Sequence, residues 1–113
     1  MIYLDNAATT KVRREVLDKM LPYFSEYYTN PSSIYSPSRM VSKKVEEARN
    51  LIAGTIGAEA SEIYFTSGGS ESDNWAIKKI MISRMNKGKH MITTKVEHHA
   101  VLESCKYLES LGF

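Results

Sequence analysis

The chain has 113 residues, 42% hydrophobic and 25% charged, which fits one modest folded domain and excludes a disordered chain. Fifteen basic residues against 13 acidic ones leave a net charge of +2, too even a balance to favour nucleic acid or an anionic membrane as partner. No apolar run approaches the ~18 residues of a membrane span, the start MIYLDNAATT lacks the basic and apolar regions of a secretory leader, and the single cysteine, Cys105, excludes an internal disulfide and suits the cytoplasm.

Residues 1–11 read as an extended N-terminal segment. Apolar positions Val12, Val16, Met20, Phe24 and Tyr27 then fall on one helical face, with Pro22 expected to kink or restart the helix. TNPSSIYSPS is a loop by composition, and Ser36-Pro37 is a start signal, with the hydroxyl as N-cap and proline at the first helical position. Val41, Val45, Ala48 and Ile52 predict a long amphipathic helix over 37–56, ending near Gly57.

EIYFTS, residues 62–67, predicts a strand, and ESDNWAIKKIMISRM a helix burying Ile77, Ile80, Met81 and either the aliphatic stem of Arg84 or Met85. KGKHMITT predicts a glycine turn and a second strand, and HHAVLESCKYLESLG a helix with Val101, Cys105 and Leu108 in line. Cys105 is thus expected as a buried small hydrophobe. Gly112 marks the helix end, where an alternating fold would open another strand. The order helix-helix-strand-helix-strand-helix implies an α/β class with parallel strands and right-handed crossovers. Two strands make an incomplete sheet. Residues 1–113 are therefore expected to form a single partial domain, with 12–113 as its main body.

Between the first strand and its helix stands SGGSES, with hydroxyls at Thr66, Ser67, Ser70 and Ser72 around Gly68-Gly69. Ligands of open α/β sheets gather at the carboxyl ends of strands, and a helix N-terminus favours anions. Glycines permit close approach, and serines add donors, so a phosphate is one natural occupant. The competing reading is a plain strand-to-helix turn, with glycine serving geometry and serine capping the helix. The spacing is neither a nucleotide P-loop nor the G-x-G-x-x-G fingerprint. His98 and His99 open the next helix; either ring could stack on an aromatic ligand or move protons, or simply cap. Adjacent histidines with no third ligand at a metal-site spacing make a metal the weaker reading.

Taken together, YLDNAATT, NPSSIYS, FTSGGSES and VEHHAV resemble the N-terminal part of a cysteine desulfurase, a fold-type I pyridoxal-phosphate enzyme of the class-V aminotransferase group. The resemblance covers Tyr3 to Phe113, and members of that family are several times longer. It implies that the chain is the beginning of a pyridoxal-phosphate-binding large domain. The family uses pyridoxal 5'-phosphate to convert L-cysteine to L-alanine, passing sulfur as a persulfide toward iron–sulfur clusters or thio-tRNA.

By resemblance Gly69 and Ser70 match the pair that binds the cofactor phosphate. His98 matches the residue that stacks on the pyridine ring and assists proton transfer. Asn6, Ala7 and Asn30 match the substrate side. Tyr35 and Pro37-Ser38 depart from the family's usual NPSSIHS and the small pair after it, which touches the substrate side more than the cofactor side. The family's Schiff-base lysine, the acidic partner of the pyridine nitrogen and the persulfide cysteine match no residue here, so the chain alone is expected to be inactive. Expected partners are L-cysteine, a sulfur acceptor or scaffold, and a second copy or complementing chain. The alternatives are a naturally short chain that works by association, and another class-V enzyme such as a selenocysteine lyase.

Overall fold

The computed structural model describes residues 2–113, which fall into two compact units, one ending at Ile63 and the other spanning Tyr64–Phe113.

In the first unit, a turn at residues 6–8 is closed by the Ala8 amide on the Asp5 carbonyl at 3.1 Å, interrupting the stretch read as extended. Helix α1, Arg14–Met20, carries an Arg14–Asp18 ion pair at 2.9 Å on its exposed side. Pro22 restarts the helix as the short α2, Pro22–Ser25, as its missing N–H requires. The apolar face expected from Val12 to Tyr27 remains open to solvent.

Helix α3, Ser36–Ile56, begins one residue earlier than the start signal implies. Tyr35 is the N-cap, in extended conformation, and no side chain caps the end, so Ser36 does not play the role expected of it. The Tyr35 carbonyl opens the helical hydrogen-bond ladder, accepting the Ser38 and Arg39 amides at 3.0 and 3.2 Å. At the other end Gly57 takes the left-handed conformation, φ 68°, and the Ala58 amide returns to the Ala53 carbonyl at 3.0 Å. A 3₁₀ turn at Ala60–Glu62 follows, held by a reciprocal Glu59–Glu62 capping box. The Arg49 guanidinium reaches from α3 to the carbonyl of Ile63, tying the turn to the helix.

In the second unit, α4, Gly69–Ser83, packs on α5, His99–Ser110. Ala100, Ser104 and Leu108 form the buried stripe of α5, spaced by four residues, and Leu108 is fully enclosed. The buried Ser104 hydroxyl donates to the Ala100 carbonyl at 2.7 Å, so its burial leaves no unmet polar atom. Val101 and Cys105 sit half-buried beside that stripe. Leu108 is buried as its place in the expected line requires, while the other two buried positions are the small Ala100 and Ser104 rather than Val101 and Cys105. On α4, Ile77 and Met81 are half-buried and Ile80 is exposed, as are Arg84 and Met85, because the helix ends at Ser83 before that face continues. Lys78 bridges the helices, its Nζ 4.6 Å from the centre of the Tyr107 ring and 2.6 Å from Asn74 Oδ1. The chain leaves α5 by a Schellman turn: Gly112, φ 86°, donates to Glu109 and Phe113 to Leu108.

Among the described residues no strand ladder forms, including along 62–67 and 90–94. A strand exists only through its pairing, and these two segments do not pair with each other. The first nonetheless keeps a strand's alternation. Tyr64 stacks edge-on against Trp75 of α4 at 5.0 Å, and Thr66 meets Ser72 of α4 at 2.6 Å.

Candidate functional site

The turn from Thr66 to Ser72 is built by its own hydroxyls and one carboxylate. The Thr66 hydroxyl donates to the Gly68 carbonyl at 3.1 Å, which leaves Ser72 to donate to Thr66 Oγ1 across the 2.6 Å contact. Glu71 Oε2 accepts both the Ser67 amide, at 2.6 Å, and the Ser67 hydroxyl, at 2.7 Å. Those two donors hold the Glu71 carboxyl below its ordinary range. Glu71 is the third residue of α4, where a capping-box glutamate returns to the N-cap amide. Here it reaches one residue further back, to Ser67.

Gly68 is the N-cap, with φ 164° and ψ −179°, an extended conformation open to any residue. Neither Gly68 nor Gly69 has positive φ in the left-handed range, and a Cβ added to either would meet nothing within 4 Å. The protein's own geometry and packing therefore do not require glycine at either position. What two glycines provide here is unobstructed access to the backbone. The first-turn N–H groups of Gly69, Ser70 and Glu71 lack helical partners and form the positive end of α4. The Ser70 hydroxyl makes no hydrogen bond among the described residues, while its carbonyl accepts from Asn74 Nδ2 at 2.8 Å.

His98 is the N-cap of α5. Its Nδ1 accepts the Ala100 amide at 3.1 Å, so the proton of the neutral ring resides on Nε2. The His99 ring lies 6.4 Å away at 65°. Gly69, Ser70 and His98 thus belong to one compact unit, whose two helices pack together. Asn6, Ala7 and Asn30 belong to the other. Asn6 and Ala7 lie in the turn at 6–8, and Asn30 closes a turn of its own by accepting the Ser32 amide on Oδ1 at 2.9 Å. Among the described residues no three His, Cys, Asp or Glu side chains gather where a metal could be held, and no helix is long and apolar enough to cross a membrane.

The residue that sequence reasoning overlooked is Glu71. A glutamate at the third helical position was the available signal, but glycine rather than serine at the N-cap disguised it.

The family pattern described as aminotransferase class-V matches residues 2–112. The cysteine desulfurase IscS of Methanosarcina thermophila is 54% identical over 99% of this chain, and that of Dictyoglomus turgidum 55% over 99%. This chain spans 28% of the length of either relative. Among solved structures, a NifS-like protein superposes with a TM-score of 0.91 and 40% identity over 99% of this chain, which covers 31% of that one. SspA in complex with cysteine superposes at 0.88 with 43% identity, over 98% of this chain and 32% of its own. A family match running nearly end to end leaves one conclusion: the chain belongs to the class-V aminotransferases.

Proposed function

We propose that these residues form the N-terminal part of the pyridoxal-phosphate-binding large domain of a fold-type I cysteine desulfurase, acting in the cytoplasm on L-cysteine and passing sulfur to an acceptor protein. The observation that carries this reading is the pair of glycines with nothing in front of them, at a helix start whose N–H groups are unspent. A phosphate fits that donor set, because it takes several N–H donors at once and needs the backbone bare to reach them. The Gly69 and Ser70 amides and the Ser70 hydroxyl would hold the phosphate of pyridoxal 5'-phosphate. The His98 ring would lie against the pyridine ring, with Nδ1 fixed by the Ala100 amide and Nε2 available to hold or release a proton. Bound there, the cofactor supplies the electron sink that bond cleavage at an amino acid requires. Asn6, Ala7 and Asn30 are proposed on the substrate side, with homodimer formation completing the site.

Trp75, the chain's single tryptophan, stands on α4 and reports binding directly. Titration with pyridoxal phosphate is expected to quench its fluorescence saturably, and inorganic phosphate to compete. Equal quenching by pyridoxal, which lacks the phosphate, would overturn the assignment of the turn.

A second reading has its own observation. Ile2 and Leu4 in one unit, and Ile92 and Val96 in the other, are between 86% and 92% exposed, and apolar side chains so exposed favour association with a complementing chain or a second copy. Sedimentation as a monomer across the micromolar range would exclude it.

A further inference from the structure

The cofactor-phosphate reading leaves one question open: what keeps a turn containing two unconstrained glycines in a shape that can receive an anion? Glycine carries the largest conformational entropy of any residue, and neither Gly68 nor Gly69 is held by packing. Two tethers cross the turn instead. One joins Thr66 to Ser72 at 2.6 Å, and the other joins Ser67 to Glu71 through two bonds to a single carboxylate oxygen. The second is the stronger by chemistry, since an ionised acceptor makes hydrogen bonds roughly twice as strong as a neutral one.

Building on that reading, we infer that Glu71 is a positioning residue for the phosphate site: its carboxylate clamps Ser67 and thereby presents the Gly69 and Ser70 amides to the anion. The placement looks unfavourable at first, because a carboxylate in the first turn puts negative charge beside a phosphate. Its oxygen is instead turned back onto Ser67, where the bound N–H and O–H absorb its charge. Clamp and simple charge therefore predict opposite signs for the same substitution.

Two variants of the whole chain separate them. Glu71→Gln removes the charge and weakens the acceptor; Glu71→Asp keeps the charge but is one methylene too short to span from the third helical position to Ser67. If Glu71 is only a nearby negative charge, Glu71→Gln binds pyridoxal phosphate more tightly and Glu71→Asp binds as the parent does. If it is the clamp, both variants lose roughly tenfold in affinity for pyridoxal phosphate, while any affinity for pyridoxal is unchanged. Circular dichroism verifies that α4 and α5 remain helical in each.

A second measurement uses no cofactor. The Ser67 amide nitrogen lies 2.6 Å from Glu71 Oε2, so its proton is expected far downfield in the NMR spectrum and to move upfield in both variants. Should the parent fail to bind pyridoxal phosphate while the Ser67 proton behaves as described, the cofactor reading fails and the clamp stands. Should the parent bind, and Glu71→Asp match it with an unmoved Ser67 proton, the clamp is overturned and the cofactor reading stands.

Discussion

His98 Nδ1 and the Ala100 amide nitrogen stand 3.1 Å apart, so one histidine ring both caps α5 and has its tautomer fixed by that cap. The two jobs separate under mutation. Asparagine is a good N-cap but has no ring, so His98→Asn is expected to keep the stability of the parent and lose binding of the pyridine ring. His98→Ala loses both, the cap being worth about 1 kcal/mol. Urea denaturation and tryptophan quenching, run side by side on the two variants, check the division.

Gly69→Ala gives a cleaner test of the glycine turn. The backbone accepts alanine and no atom lies within 4 Å of the new methyl group, so stability should hold or rise by about 0.5 kcal/mol as the unfolded chain loses freedom. Binding of pyridoxal phosphate should fall by tenfold or more. A variant both stable and fully competent to bind would show that the bare backbone serves no ligand.

At Gly112 the expectation is reversed. With φ at 86°, the Schellman turn needs a residue without a Cβ, and nothing about a ligand enters. Gly112→Ala should cost about 1–2 kcal/mol of stability, with affinity for the cofactor unchanged. The denaturation midpoint reads this directly.

The Glu71 carboxyl titrates below the ordinary glutamate range because the Ser67 amide and hydroxyl favour its ionised form. Since the folded value lies below the unfolded one, the clamp contributes fully above the ordinary range, about pH 4.3. That contribution is lost as the pH falls through the lowered value. NMR titration of the Glu71 side chain should give a midpoint below that of Glu71 in the urea-unfolded chain. Ser67→Ala, which removes only the hydroxyl, should recover part of the difference.

Much of this was legible in advance, for reasons that differ by element. Helices α3, α4 and α5 declare themselves through local spacing, and Gly57 and Gly112 mark their ends because positive φ is a local demand. His98 at a helix start was visible too, and of the roles read for it the cap is the one the structure shows. On α5 Leu108 was placed correctly in the buried line, while Val101 and Cys105 were read one residue off because they are more hydrophobic than Ala100 and Ser104, the small residues that are buried. Ser36 looked like a cap by residue type, yet the carbonyl of Tyr35 anchors that end. Pairing of 62–67 and 90–94 depends on partners distant in sequence, and local alternation says nothing about whether partners are present. Glu71 was hidden twice over: glycine at the N-cap masks the capping-box pattern, and its partner lies four residues back, outside that spacing.

The guanidinium of Arg49 on the carbonyl of Ile63 closes a loop across the last residues of the first unit. It encloses the Gly57 helix end and the Glu59–Glu62 capping box. Both of those devices act over a few residues, whereas the arginine spans 14 and returns the chain to the helix it left. Loop-closure entropy grows only slowly with length, so a bond of this span holds the exit of α3 at little extra cost. Arg49 thus works as a buckle, folding the end of the unit back onto its own helix.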